Sequence, residues 1–144
     1  MEKFAQSVKP HLNQQLIDEP LWMGSAGDMD RAAAVLFPFY WKQDEPWVLF
    51  TQRNAKLKHH SGQVSFPGGG YEAQDKNIKH TAYRETHEEI GVPRDRVNLW
   101  GYLDGLPSIN GFHVTPFVGE ITDVSNLTLD PSEVDRAFGV PFAF

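Results

Sequence analysis

Apolar residues recur at helical spacing in two stretches of the chain. Between residues 2 and 18 they stand four apart, at Phe4, Val8, Leu12 and Leu16. This spacing predicts one amphipathic helix, ended by Pro20. A second stretch, residues 77–90, contains no glycine or proline, and its apolar-face positions are Ile78, Ala82, Thr86 and Ile90. Gly91 and Pro93 follow as stop signals, so the sequence predicts a central helix here.

The remaining apolar runs are short, which is typical of strands. Residues 32–40 and 47–51 flank the turn-like segment WKQDEP and predict a hairpin. Further strands are predicted at 64–66, 97–103, 115–121 and 138–140. A polar, cationic loop is predicted at 54–61 and a tight turn at 67–70. The pattern indicates a single α/β domain covering residues 1–144.

The composition excludes several kinds of chemistry and partner. The chain has no cysteine, so it forms no disulfide, thiolate metal site or thiol nucleophile. Its net charge of -6 argues against general binding to nucleic acid or anionic membranes, which requires a basic excess. No apolar run reaches about 18 residues, and the first residues lack a signal-peptide core. We therefore expect a cytoplasmic protein that binds neither nucleic acid nor membranes, and a homodimer is compatible with the sequence.

Three glutamates meet on the predicted central helix. Glu85 and Glu89 lie one turn apart and Glu88 lies beside both, with neighbours about 5–6 Å apart. Like charges at this spacing repel unless a divalent cation lies between them. Oxygen ligands without cysteine favour Mg²⁺ or Mn²⁺ over Zn²⁺. The alternative is a solvated acidic helix face, which the spacing alone does not exclude.

The context of these glutamates resembles the signature box of the Nudix hydrolase superfamily. That box runs Gly, five residues, Glu, seven residues, then Arg-Glu-aliphatic-x-Glu-Glu-x-Gly-aliphatic. The corresponding positions are Gly70, Lys76, Arg84, Glu85, Thr86, His87, Glu88, Glu89, Ile90, Gly91 and Val92. Two depart from the pattern: Lys76 stands where the first glutamate belongs, and Thr86 replaces an aliphatic residue.

The resemblance implies a fold, a cofactor and a set of roles. The fold is the Nudix α/β/α sandwich with a mixed β-sheet, and the cofactor is Mg²⁺ or Mn²⁺. By this resemblance Glu85, Glu88 and Glu89 bind the metal. Arg84 orients a glutamate, and we expect Asp75 to take over the ion pair to Arg84 that the family assigns to the missing glutamate.

A late loop glutamate acts as general base or further metal ligand in some members of the superfamily. Glu133, within DPSEVDRAF, resembles that residue. Glu120 is the alternative for this role, and Glu85 remains a candidate for the base as well.

A second segment, upstream of the box, is similar to the motif of the coenzyme A pyrophosphatase branch. That motif runs Leu-Leu-Thr-x-Arg-Ser/Ala, three residues, Arg, three residues, Gly, three residues, Phe-Pro-Gly-Gly. The matching residues are Leu49, Thr51, Arg53, Gly62, Phe66, Pro67, Gly68 and Gly69, and the substituted positions are Phe50, Asn54 and Lys58. A further stretch resembles the same branch at Ser108, Gly111, Phe112, Val114, Thr115, Pro116, Phe117 and Val118.

The residues themselves favour the same substrate class. Positive charge is concentrated in one loop of this acidic protein, at Arg53, Lys56, Lys58, His59 and His60. Coenzyme A carries a 3'-phosphate beside its diphosphate, so it needs cationic partners beyond the metal. A solvated basic loop is the alternative. The candidate substrate-binding residues are Arg53, Lys58, Gly68, Gly69 and Phe112.

The expected reaction is hydrolysis of coenzyme A or acyl-coenzyme A to 3',5'-ADP and 4'-phosphopantetheine or its acyl form. One alternative is a Nudix diphosphatase for ADP-ribose, dinucleotides or nucleoside triphosphates. Another is a nucleotide-binding sensor that has lost catalysis through Lys76 and the short C-terminus. The family continues beyond the position of Phe144, and we expect this difference to affect substrate preference more than catalysis.

Overall fold

The computed structural model describes residues 2–14, 31–57, 62–108 and 111–142. Two α-helices are present in these ranges, α1 (Glu2–Val8) and α2 (Ile78–Ile90). The strands are β1 (Ala32–Lys42), β2 (Glu45–Arg53), β3 (Val64–Ser65), β4 (Gly68–Gly70), β5 (Val97–Tyr102), β6 (Leu106–Pro107), β7 (His113–Ile121) and β8 (Val134–Pro141). No helix within these ranges has the length and apolarity needed to span a membrane.

The strands form one mixed sheet around β1. This strand pairs in parallel with β7 and antiparallel with β2 and β4. Strand β7 also pairs antiparallel with β5 and β6, and β2 pairs antiparallel with β3 and β8. The predicted hairpin is confirmed: Gln43 and Asp44, both at positive φ, form the tight connection between β1 and β2.

Helices cover both faces of this sheet. On one face, Ile78, Ala82 and Ile90 of α2 belong to a buried cluster with alternate residues of β1 and β7. On the other face, Ala5 of α1 packs in a second cluster around Phe39. Successive strand residues point to opposite faces, which explains why one long apolar run in β1 supplies both clusters. The predicted α/β/α sandwich with a mixed sheet is confirmed.

The predicted N-terminal helix extends too far. The α-helix ends at Val8, a 3-10 turn covers Lys9–His11, and Leu12 is extended. Asn13 then forms a backbone bridge with Tyr102 of β5, with N···O distances of 2.9 and 3.1 Å. Pro10 provides no amide for continued helical bonding, and the pairing with β5 offers the following residues an alternative. Leu16 and Pro20 lie outside the described residues.

The glycine run after Pro67 is a strand instead of the predicted tight turn. Gly68, Gly69 and Gly70 pair with Val35, Ala34 and Ala33 of β1. Strand β8 is also longer than predicted, beginning at Val134, and the short β6 was not predicted. These strands depend on pairing with distant segments, which local patterns do not reveal.

The central helix α2 has the predicted stop signal and a clear start. Asn77 caps its N-terminus, since the side-chain oxygen accepts a 2.8 Å hydrogen bond from the His80 amide. Gly91 ends it at φ 75°, and its amide donates to the His87 carbonyl oxygen at 2.9 Å. The helix therefore begins and ends at defined residues, and this fixes the position of its glutamates relative to the sheet.

Substitution of Gly91 by alanine is expected to lower the free energy of unfolding by about 2–3 kcal/mol. The left-handed φ disfavours a side chain, and the added Cβ would lie 2.8 Å from the Thr128 Cβ and 2.9 Å from its carbonyl oxygen. Gly62→Ala is the matched control, because Gly62 also has a positive φ but no atom within 4 Å of an added Cβ. Urea unfolding should show a clearly smaller loss for Gly62→Ala. Equal losses would contradict the role of the Thr128 contact.

Candidate active site

The three glutamates of α2 differ in their exposure. Glu89 is 7% exposed and accepts a hydrogen bond of 3.3 Å from the Gly68 amide through Oε2. The Glu85 side chain is 18% exposed, and that of Glu88 is 54% exposed. Two of the three carboxylates therefore lie between the helix and β4.

The absence of side chains on β4 makes room for these carboxylates. A Cβ added to Gly69 would overlap the Glu85 carboxylate, and one added to Gly68 would overlap Val35 and the Ala34 carbonyl oxygen. Glycine is therefore required at position 68 by close approach to the β1 backbone, whereas a side chain at position 69 would displace the Glu85 carboxylate.

Arg84 connects the carboxylates to the strand. Its Nη1 donates to Oε1 of Glu85 at 2.8 Å and to both carboxylate oxygens of Glu88 at 3.2 Å. Its Nη2 donates to the Gly70 carbonyl oxygen at 3.0 Å. Because the Arg84 side chain is only 11% exposed, this charge is held in place by the surrounding groups.

Asp75 provides the other half of this network. Its carboxylate receives the Arg84 Nε at 2.8 Å and Nη2 at 3.2 Å, so the pairing is bidentate. It also accepts hydrogen bonds from the Glu72 amide at 3.0 Å and the Thr81 hydroxyl at 2.8 Å. Burial would raise the pKa of Asp75, but the hydrogen bonds from Arg84, Glu72 and Thr81 outweigh it and lower this pKa. The predicted ion pair between Asp75 and Arg84 is confirmed.

The environment opposes negative charge on the two buried glutamates. Burial raises the pKa of Glu89 to about 8, and the Glu85 and Glu133 charges act in the same direction, against the Gly68 amide and Arg53. Burial also raises the pKa of Glu85 to about 7, with Glu88 adding to the effect and Arg84 opposing it. These carboxylates therefore lack sufficient positive charge around them to be fully ionised at neutral pH.

The donor set fits a hard divalent cation, which would supply that missing charge. All three side chains offer carboxylate oxygens, and the missing side chain of Gly69 lets the Glu85 carboxylate approach β4. Within the described residues, however, no three acidic or histidine side chains already converge as a ready metal cluster. The reason is that Glu85 and Glu88 are turned towards Arg84, which acts as their counter-charge. A metal would have to compete with Nη1 of Arg84 for both carboxylates.

A cavity of about 420 Å³ opens on the other side of β4. Its lining residues are Ala33, Val35, Arg53, Gln63, Ser65, Phe66, Gly68, Gly69, Gly70, Ser108, Phe112 and Val114. Within the described part of the chain, the buried Nε of Arg53 has no hydrogen-bond partner. The positive charge of Arg53 also lowers the pKa of Glu89. Arg53 thus lies between the cavity and the carboxylates.

Most of the predicted site residues are brought together. Gly68, Gly69 and Phe112 line the cavity with Arg53, whereas Lys58 lies outside the described residues. Glu133 is exposed, and its charge reaches Glu89.

Glu120 takes a different position from that of the other acidic candidates. Glu120 and Val118 are two residues apart in β7, so their side chains point to the same face of the sheet. Val118 packs in the cluster on the face opposite α2. The Oε1 of Glu120 accepts a hydrogen bond from Asn98 at 3.0 Å. The structure therefore places Glu120 apart from the three glutamates of α2.

Several cavity residues were not among the predicted site residues. Ala33 and Val35 could have been found from the two-residue alternation of β1, because they face away from the α2 cluster. Gln63 and Ser65 carry no local signal, because they reach the cavity through the pairing of β3 with β2.

Relatives of known sequence match most of the chain. The uncharacterized Nudix hydrolase NudL of Photorhabdus laumondii is 43% identical over 116 residues, covering 81% of this chain and 62% of the relative. NudL of Escherichia coli O7:K1 is 33% identical over 138 residues, covering 96% of this chain and 66% of the relative. The chain thus spans less than two thirds of the length of these curated relatives.

Solved structures share the fold at low sequence identity. The Ap4A hydrolase of C. elegans in a binary complex superposes with a TM-score of 0.63 at 18% identity, covering 74% of this chain and 77% of that one. The NUDIX domain of Shewanella oneidensis NrtR, complexed with ADP ribose, superposes with a TM-score of 0.59 at 15% identity, covering 83% and 78%.

The family model described as the NUDIX domain matches residues 29–139, a range that contains the glycine strand, the carboxylate helix and Arg53. On this match and on the identity to NudL, the chain belongs to the NUDIX family.

Proposed function

We propose that this protein hydrolyses the diphosphate bond of coenzyme A or an acyl-coenzyme A, releasing 3',5'-ADP and 4'-phosphopantetheine or its acyl form. The observation that carries the proposal is the position of Arg53. Its side chain lines a largely apolar cavity, its buried Nε has no hydrogen-bond partner among the described residues, and its charge reaches Glu89 of the carboxylate helix. A substrate with an anionic diphosphate and a bulky organic part needs positive charge for the diphosphate and an apolar cavity for the organic part.

Glu85, Glu88 and Glu89 would hold Mg²⁺ or Mn²⁺ as hard oxygen ligands. Such an ion, when bound, supplies charge neutralisation for the phosphate oxygens and lowers the pKa of a water. The side chain of Arg84 keeps Glu85 and Glu88 close to β4, and the Gly68 amide fixes Glu89.

The glycine strand gives the substrate access to both environments. Gly69 approaches Glu85 on one side of β4, whereas Gly70 faces the ring of Phe112 on the other. A diphosphate placed along this strand would have its phosphates near the carboxylates and its organic part against Phe112. Glu133, exposed and close enough to influence Glu89, is our candidate to accept the proton from the attacking water.

Two other functions have specific support. The bound ADP ribose named for NrtR and the Ap4A named for the C. elegans hydrolase favour a diphosphatase for other nucleotides. The carboxylate–arginine pairing of Glu85 and Glu88, together with Lys76 in the box, favours a sensor that binds nucleotide without turnover.

Purified protein incubated with coenzyme A and Mg²⁺ or Mn²⁺ is expected to release 3',5'-ADP and 4'-phosphopantetheine, read by mass. Arg53→Gln should raise KM about 10–100-fold, because a charge-assisted contact to phosphate is lost. Arg136→Gln is the matched control: it removes the same charge from an exposed residue of β8.

The substrates compared with coenzyme A separate the alternatives. If 3'-dephospho-coenzyme A is cut equally well and ADP-ribose better, the coenzyme A assignment fails and the general diphosphatase is correct. Saturable nucleotide binding without products at any metal concentration would instead identify the sensor.

A further inference from the structure

Another cavity, of about 210 Å³, is formed by residues of α2 and of the 3-10 turn that follows it. Its lining residues are His80, Tyr83, Arg84, His87 and Arg94. Two are arginines and two are histidines, and among the described residues no carboxylate lines the cavity. This concentration of nitrogen donors contrasts with a net charge of -6 for the whole chain.

The local structure explains why these side chains meet. His80, Tyr83 and His87 follow the i, i+3 and i+7 positions of one helical face. The 3-10 turn Arg94–Arg96, just after the helix, returns Arg94 to the same face. Its guanidinium lies 4.5 Å from the centroid of the Tyr83 ring, which holds the guanidinium plane in position.

The donors available to a ligand come from the rim of this cavity. Nδ1 of His80 accepts a hydrogen bond of 3.3 Å from the Lys76 amide, so its neutral ring carries the proton on Nε2. The guanidinium of Arg84 is engaged by Asp75, Glu85, Glu88 and Gly70, so its charge is already compensated by neighbouring carboxylates. One face of the Arg94 guanidinium stacks on the Tyr83 ring, so its N–H groups point along the plane of the guanidinium and not at the ring.

We propose that this cavity binds a phosphate dianion, either as inorganic phosphate or as the terminal group of a small monoester. A planar guanidinium and imidazole N–H groups recognise phosphate through charge-assisted hydrogen bonds, and here these groups belong to Arg94, His80 and His87. Hydrolysis of a diphosphate ester produces phosphate monoesters. The identification of a product as one source of the ligand therefore rests on the proposed function, whereas the binding site does not.

Binding is measured by NMR on protein with labelled histidine side chains, in the presence of EDTA so that no metal phosphate forms. Inorganic phosphate is expected to shift the signals of His80 and His87 saturably, in the low millimolar range or below. His11, in the 3-10 turn that follows α1, serves as the internal control. Because this measurement requires no turnover, its result does not depend on the hydrolase activity.

Arg94→Gln is expected to weaken phosphate binding roughly tenfold or more, because its charge-assisted contacts are lost. Arg96→Gln is the matched control, since Arg96 belongs to the same turn but faces Asp123 at 3.9 Å. Arg53→Gln should leave the His80 and His87 response intact, because Arg53 lines the other cavity. The proposal is overturned if these signals do not saturate, or if Arg94→Gln and Arg96→Gln weaken binding equally.

AMP, titrated in the same way, distinguishes the two sources of the ligand. We expect it to bind within tenfold of inorganic phosphate, because the cavity contacts the dianion alone. Shifts with phosphate but not with AMP would assign the site to the inorganic ion.

Discussion

Replacement of Glu89 by glutamine is expected to reduce kcat about 10³-fold, yet to stabilise the metal-free protein at alkaline pH. The catalytic loss follows because a neutral amide is a poor ligand for a divalent cation. The transition-state stabilisation that a bound cation provides is worth several kcal/mol. The gain in stability follows because Glu89 is buried and its ionised form lacks sufficient positive charge nearby. One substitution should therefore move activity and stability in opposite directions.

The pH range of this stabilisation follows from the raised pKa. Glu89 has a folded-state pKa of about 8 and an ordinary value of 4.5. Between these values the folded chain binds more protons than the unfolded chain, so stability falls as pH rises. The wild type should thus lose up to about 4 kcal/mol from this group between pH 5 and pH 8. Glu89→Gln should lack this contribution, since its amide does not titrate, and should keep the smaller loss that follows from the raised pKa of Glu85.

Urea unfolding of both proteins at pH 5 and pH 8, with EDTA present, measures this difference. Glu45→Gln makes the same chemical change at an exposed position at the start of β2 and should match the wild type in both activity and pH response. If Glu89→Gln were no more stable than the wild type at pH 8, the assigned cost of the buried charge would be wrong. If it kept full turnover, Glu89 would not be a metal ligand.

The elements that could be predicted from the sequence are those that local physics determines. Helix α2 was found from its apolar spacing and its Gly91 stop, and the hairpin from two apolar runs around a polar turn. The three glutamates could be grouped for the same reason, because helix geometry alone makes them neighbours. The pair of Asp75 with Arg84 could also be predicted, because Lys76 replaces the glutamate of the Nudix pattern and Asp75 is the adjacent carboxylate.

The elements that were missed depend on contacts between distant segments. Strand β4 has no side chains, so its conformation is determined by hydrogen bonding to β1. The extended residues after α1 pair with Tyr102, far along the chain, against their helical spacing. Glu120 was a candidate because of its charge, but the strand alternation of β7 places it on the far face. A sequence indicates which residues carry chemistry more readily than which face they occupy.

Asp75→Asn is expected to lower the free energy of unfolding by about 3 kcal/mol and activity 10–100-fold. The change is isosteric, yet it removes the charge that pairs bidentately with Arg84 in a site where the Asp75 side chain has no exposure. Arg84 would keep its contacts with Glu85 and Glu88, so the fold should survive. Urea unfolding and steady-state kinetics on the same preparation provide the two measurements.

The double variant Asp75→Asn/Lys76→Glu tests whether Arg84 requires a carboxylate at one particular position. It places the glutamate where the Nudix pattern has it, and this longer side chain should reach Arg84 and recover at least tenfold of the lost activity. Asp75→Asn/Lys76→Gln is the matched control, because it removes the lysine charge without supplying a carboxylate, and it should recover nothing. Equal recovery in both would show that Lys76 was merely repelling Arg84. Full activity in Asp75→Asn alone would show that Glu85 and Glu88 suffice to position the guanidinium, and that the departure from the pattern at residue 76 needed no compensation.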